Sequence, residues 1–121
     1  MDILIVKPFW GNKILENNKL WEIRGTNTSK RGKIGIAKSG TGYIFGTVNI
    51  IDSISLTEEL WEFNRKKHQV DITWNELLKI YKNPHAWVFE DGTAMKYHKP
   101  IPYKHPKGAV VWVKNDTTIL F

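Results

Sequence analysis

The chain has 121 residues, the length of one ordinary domain, and it contains no cysteine. The absence of cysteine excludes disulfide frameworks, thiolate catalysis, iron–sulfur clusters and cysteine-based zinc sites. The longest uncharged apolar stretch, Tyr43 to Ile51, is nine residues long and therefore much too short to span a bilayer. No basic leader segment precedes the first apolar run, so we expect one domain over residues 1–121, a cytoplasmic location and no membrane partner.

Basic residues exceed acidic ones by six, and the excess is concentrated at the two ends of the chain. Residues 1–50 carry a net charge of +5 and residues 96–121 carry +4, whereas residues 51–95 carry −3. If both ends join one sheet, their lysines merge into a positive face of the kind that binds phosphate backbones. A lysine-rich solvated surface would give the same pattern, so charge alone leaves both interpretations open.

The first half of the chain predicts one helix and four strands. An apolar run of strand length comes first, and Pro8 then suits the first turn of a helix. Asn17 and Asn18 end this helix, because asparagine tolerates the left-handed backbone that closes many helices. The predicted strands are residues 3–6, 20–24, 33–38 and 43–53.

The second half predicts two helices followed by short strands. An apolar face that contains Phe63 marks the first helix, and a capping box of Thr73 and Glu76 starts the second. The strands that follow are predicted at residues 85–89 and 109–114, where aromatic and β-branched residues are frequent.

Strands therefore dominate both ends of the chain, and an acidic helical insertion at about residues 56–82 lies between them. Pro100 and Pro102 cannot lie inside a central strand, because proline has no backbone N–H to donate. The order of elements predicts an α+β fold with a mixed, partly closed sheet rather than a parallel βαβ array.

The signatures of common enzymes and metal sites are missing from this sequence. Gly40 and Gly42 join two predicted strands, so they indicate a hairpin turn and not a phosphate-binding loop that opens a helix. None of the four histidines shows the helical spacing that places two imidazoles on one face. We therefore expect no metal and no cofactor.

The most informative segment runs from Lys19 to Arg24. On a strand, Glu22 and Arg24 project to the same face, with Lys19 just before the strand begins. One interpretation is a structural ion pair that closes the sheet against the first helix. The other is a donor set for a phosphate or a base edge, with Glu22 orienting the cations. Trp10 and Trp87 also have two interpretations, since each ring can pack in the core or stack on an unpaired base.

These segments resemble the ASCH domain family, the activating-signal-cointegrator homology domains of the PUA-like superfamily. The resemblance covers residues 3–114 and is strongest in the pattern Lys-x-x-Glu-x-Arg. Its main elements are Ile3 to Val6, Pro8-Phe9-Trp10, Lys19 to Arg24, and Arg31-Gly32. One departure is Asn17, where the family usually has glycine. The resemblance implies a small mixed, partly closed β-barrel with flanking helices, and beside the motif a cleft that binds RNA or another nucleic acid.

We accordingly expect a nucleic-acid-binding module, with RNA as partner, that holds phosphate and base in a basic cleft beside the motif. The expected binding residues combine the motif with nearby cations and aromatic rings. They are Lys7, Trp10, Lys19, Glu22, Arg24, Arg31, Lys33 and Trp87.

A hydrolase is the alternative. Some short members of the family resembled here deacetylate N4-acetylcytidine with a lysine, a threonine three residues later and a glutamate near the helices. Here Lys19 matches the first position, but Glu22 replaces the threonine and Val70 aligns with the third. A carboxylate in place of a hydroxyl nucleophile changes the reaction, so that mechanism does not carry over. A hydrolase of a modified nucleoside, or a ribonuclease, with Lys19 and Glu22 in its site remains an alternative. A third alternative is that the acidic helices bind a protein partner.

Overall fold

The computed structural model describes residues 1–109 and 111–114. Along the chain it contains seven strands and four helices within these residues. They are β1 (Asp2–Val6), α1 (Pro8–Glu16), β2 (Trp21–Arg24), β3 (Gly32–Lys38), β4 (Tyr43–Ser55), α2 (Glu58–Phe63), α3 (Arg65–His68), α4 (Trp74–Ile80), β5 (His85–Phe89), β6 (Met95–Pro102) and β7 (Trp112–Lys114).

The seven strands form one mixed sheet in the order β2-β5-β4-β3-β1-β7, with β6 paired to β4 outside this path. The pair β1 and β3 is parallel, and the other pairs are antiparallel. The long strand β4 pairs with β3 along one edge and with β6 and then β5 along the other. Register shifts at these pairings bend the strand. The fold is thus α+β with a partly closed mixed sheet, as the sequence predicts.

The structure differs from the sequence prediction in the last strands. Met95–Pro102 forms β6, a strand that the sequence prediction does not include, although its two prolines exclude only a central strand. Within the described residues β6 pairs only with β4, and an edge strand tolerates proline because its outer side needs no donor. The last predicted strand, 109–114, is shorter here and begins at Trp112. Val110, inside that prediction, lies outside the described residues.

Two apolar clusters hold the helices against the sheet. In one cluster, Ile14 of α1 packs with the sheet residues Leu4 and Trp87. In the other, β2 and β5 pack against α2 and α4. Trp61 is the fully buried centre of the second cluster. The sequence predicts Phe63 on the apolar face of α2, but Phe63 is 81% exposed, and the buried residue of this helix is Trp61.

Thr57 caps α2, and the predicted capping box of Thr73 and Glu76 starts α4. No helix in the described part of the chain is long and apolar enough to cross a membrane.

Candidate functional site

A cleft of about 460 Å³ opens between α1, the ends of β1 and β2, and the helical layer. Its two walls come from different parts of the chain and differ in chemistry. The first wall is polar and cationic and consists of Lys7, Lys19, Glu22, Arg24 and Ser39. The second wall is apolar and consists of Val70, Ile72, Leu77, Ile80 and Tyr81. Ile5, Val6, Trp10 and Ile23 complete the lining.

Lys19 is the most unusual residue of the cleft, because its side chain is only 1% exposed. Its Nζ donates a hydrogen bond to the carbonyl oxygen of His68 and lies 4.4 Å from the centre of the Trp10 ring. No carboxylate in the described residues lies within ion-pair distance of this ammonium group. Burial of a cation without a paired anion is costly, so stability alone does not explain a lysine here.

The environment of Lys19 changes its proton affinity. Burial lowers the pKa of its ammonium from 10.5 to about 8, and the positive charges of Arg24 and Lys13 act in the same direction. The carboxylate of Glu22 opposes this shift and raises the pKa. Near neutral pH the group is therefore mostly charged, with a neutral fraction far larger than that of a surface lysine.

The turn after α1 directs Lys19 into the protein. Asn18 has a φ of 57°, the left-handed conformation that the sequence predicts for an asparagine at the helix end. The backbone N–H of Lys19 then donates to the carbonyl of Lys13, and the N–H of Leu20 donates to the carbonyl of Lys67. These two backbone bonds tie the turn to α1 and α3 and so set the direction in which the Lys19 side chain leaves the backbone.

Glu22 and Arg24 form an ion pair, as in the first of the two interpretations of this segment. The Nε and Nη2 atoms of Arg24 both lie 2.9 Å from Oε2 of Glu22, and Nη2 also donates to the carbonyl of Ile5 at 3.0 Å. Glu22 is 5% exposed. Because Glu22 occupies the Nε–Nη2 edge of the guanidinium, Arg24 links β2 to β1 and does not present that edge to the cleft.

His68 was not expected to take part in this site. Its ring stacks on Trp61 with the ring centres 3.7 Å apart, and Nδ1 accepts the backbone N–H of Val70 at 3.0 Å. The proton must then lie on Nε2, which is 2.9 Å from the carbonyl of Trp61. Burial lowers the pKa of this imidazole and keeps it neutral. These bonds fix the His68 ring, and the backbone carbonyl of the same residue accepts the hydrogen bond from Lys19. No sequence motif indicates a role for this carbonyl.

The structure brings together five of the eight expected site residues in the cleft: Lys7, Trp10, Lys19, Glu22 and Arg24. Arg31 and Lys33 lie elsewhere. In the parallel pairing of β1 and β3, Val6 is opposite Lys38, so Lys33 lies about 16 Å back along the strand. Arg31 bonds to the carbonyls of Thr28 and Lys30 instead of joining the cleft.

Trp87 also lies outside the cleft lining. Its side chain is 2% exposed, it stacks against Trp112, and its Nε1 donates to the carbonyl of Thr26 at 2.8 Å. A ring covered in this way has no face for a base, so the proposal of base stacking at Trp87 is wrong and its core alternative is correct.

The apolar wall of the cleft was visible in the sequence only as one face of an amphipathic helix. Ile80 is 63% exposed and Tyr81 is half-buried, so this wall is open to solvent. No group of three metal-ligating side chains is close enough to hold an ion within residues 1–109 and 111–114.

Solved structures with the same architecture come from ASCH proteins. The crystal structure of ASCH from Zymomonas mobilis matches with a TM-score of 0.69 and 12% sequence identity, covering 94% of this chain and 87% of that one. A serine-to-alanine mutant of the same protein matches with a TM-score of 0.69 and 13% identity, covering 94% and 88%. A tyrosine-to-phenylalanine mutant gives 0.64 and 14%, covering 84% and 74%.

This chain therefore has an ASCH-like fold. No protein-family model and no curated protein matches its sequence. At this level of identity the likeness establishes the fold, and the chemistry of the cleft has to be argued from this chain's own residues.

We predict that replacing Lys19 by methionine changes how stability depends on pH. The unfolded chain holds this proton up to a pKa near 10.5, whereas the folded protein releases it near 8. Between these values the unfolded state binds more protons, so the free energy of unfolding rises with pH. Urea unfolding from pH 7 to 10.5 should show the parent gaining on the order of 3 kcal/mol relative to Lys19→Met. A difference between the two proteins that is independent of pH would contradict this.

Proposed function

We propose that this protein binds single-stranded RNA and that the cleft holds one nucleotide of the strand. The observation that carries the proposal is Lys19, a nearly fully buried ammonium group that lines the cleft without a carboxylate partner among the described residues. A negatively charged ligand supplies the missing partner. A phosphate oxygen accepting from Lys19 would recover part of the cost of burying the cation.

The polar wall suits a phosphate group. Lys7 is exposed and lines the cleft together with Lys19. Lys7 is the N-cap residue of α1 and Trp10 lies in its first turn, so the positive end of the helix dipole adds to the charge of this wall. The first turn of α1 contains no acidic residue that would cancel it.

The apolar wall suits a base. Ile80, Tyr81 and Trp10 offer aliphatic and aromatic surface opposite or beside the cations. A base unstacked from its neighbours is commonly held on such surfaces, and single-stranded RNA presents its bases in this form. The volume of about 460 Å³ is in the range of small-ligand sites and admits a nucleotide but not a double helix.

We predict that Lys19→Met weakens RNA binding by about 10-fold or more, because a charge-assisted bond from a buried donor is lost. Fluorescence anisotropy with labelled oligoadenylate and oligocytidylate hexanucleotides measures this directly. Affinity of the parent should fall with salt at a slope near −0.7 for each phosphate contact. The same measurement with single-stranded DNA of the same sequences tests whether the protein prefers RNA to DNA.

Lys33→Ala is the matched control, because it removes one positive charge from the exposed start of β3, outside the cleft. Its affinity should stay within about 2-fold of the parent. Equal losses in the two variants would mean that RNA binds a diffuse basic surface, and the cleft assignment would then be wrong.

A hydrolase acting on an acylated nucleoside is the second candidate, and the environment of Lys19 favours it. Because burial lowers the pKa of Lys19 to about 8, a minor fraction of this group is a neutral amine at physiological pH, beside the carboxylate of Glu22. Such an amine can take a proton from a water molecule that attacks an acyl carbonyl, while the nucleoside amine leaves with a proton.

Incubating the protein with a panel of N-acylated nucleosides tests this candidate. We expect any turnover to increase with pH up to about 8, as Lys19 loses its proton, and to disappear in Lys19→Met. Cleavage of the labelled hexanucleotides in the same assay would indicate a ribonuclease instead. Tight binding without turnover in either assay would leave only the binding function.

A further inference from the structure

Phe9 is an exposed aromatic residue directly beside the cleft. It lies in the first turn of α1, its side chain is 60% exposed, and it is adjacent to Trp10, which lines the cleft. Single exposed apolar residues are common on protein surfaces, so the position of Phe9 beside the cleft, and not its exposure alone, bears on binding. Within the described residues, Phe9 is not part of the two apolar clusters that hold the helices against the sheet.

The contacts of Phe9 leave much of its ring open and add a positive charge to it. Its ring meets Trp10 edge to face, with the centres 4.7 Å apart and the planes at 81°. The Nζ of Lys13, one helical turn further along α1, lies 5.4 Å from the centre of the Phe9 ring. An aromatic face with a nearby cation is the combination that single-stranded nucleic-acid sites use for a base and its phosphate.

Phe9 and Lys13 are continuous with the cleft. Lys19 lies 4.4 Å from the centre of the Trp10 ring, and Trp10 contacts Phe9, which in turn contacts Lys13. The four side chains therefore form a row in which two rings lie between two cations. The charge of Lys13 also acts on Lys19, which indicates that the outer end of the row is close to the cleft.

We propose that Phe9 and Lys13 form a second nucleotide subsite next to the cleft. Phe9 stacks on the base that neighbours the nucleotide in the cleft, and Lys13 contacts the phosphate of that neighbour. This inference rests on the proposed RNA-binding function and narrows it. The ligand is then a strand of at least two nucleotides, and a free nucleoside or mononucleotide makes only half of the contacts.

The test compares ligands of different length. Adenosine monophosphate, the adenylate dinucleotide and the oligoadenylate hexanucleotide are measured with the parent and with Phe9→Ala, the first two by competition against the labelled hexanucleotide. We expect Phe9→Ala to weaken the dinucleotide and hexanucleotide by about 5-fold to 100-fold, the range of one base–aromatic stacking contact. Affinity for the mononucleotide should not change. Phe9→Tyr keeps the ring and should retain affinity for all three ligands.

Phe63→Ala is the matched control, since Phe63 is also highly exposed but lies on α2 and does not line the cleft. It should bind all ligands as the parent does. An equal loss in Phe63→Ala, or parent-like binding of the hexanucleotide by Phe9→Ala, would overturn the second subsite.

Failure of this inference can be distinguished from failure of the proposed function. If Lys19→Met weakens every ligand while Phe9→Ala weakens none, the cleft stands and the second subsite is wrong. If the parent binds neither mononucleotide nor hexanucleotide, both proposals are wrong.

Discussion

The rest of the site depends on the burial of one ammonium group. Lys19 contacts the carbonyl of His68 on α3 and the ring of Trp10 on α1. The carboxylate of Glu22 on β2 is paired with Arg24. Such an arrangement costs free energy that the surrounding apolar clusters must offset. Residues that lower stability are common at binding and catalytic sites, because a polar group without a partner in the free protein can bind the ligand.

The sheet and the helices form different walls of the cleft around Lys19. The pair of Glu22 and Arg24 ties β2 to the carbonyl of Ile5 on β1, which links two of the strands that carry the polar wall. The opposite wall belongs to α4 and the segment before it, which pack through Trp61 and Leu77 on the second apolar cluster. A ligand between the walls therefore meets cations on one side and apolar surface on the other. This division is the basis of the proposal that the ligand is a nucleotide, since its phosphate and its base differ in the same way.

The local part of this site could be predicted from the sequence, and the long-range part could not. The alternation that places Glu22 and Arg24 on one face and the turn at Asn18 both follow from neighbouring residues. The sequence analysis predicts Lys33 as a binding residue together with the motif, yet the parallel register of β1 and β3 places it at the far end of the strand. The burial of Trp87 and the contact between Lys19 and the His68 carbonyl depend on segments distant in the chain. No spacing in the sequence encodes such contacts.

The most direct test of this account is the titration of Lys19 itself. In protein labelled with ¹³C at the lysine side chains, the Cε signal absent from Lys19→Met identifies the residue and can be followed from pH 6 to 11. The account predicts a titration midpoint near 8 in the free protein, as burial dictates. Saturating oligoadenylate hexanucleotide should raise this midpoint by at least one pH unit, because a bound phosphate favours the charged form. An ordinary midpoint near 10.5 in the free protein, or one that RNA leaves unchanged, would contradict the claim that the buried amine is the anchor of the site.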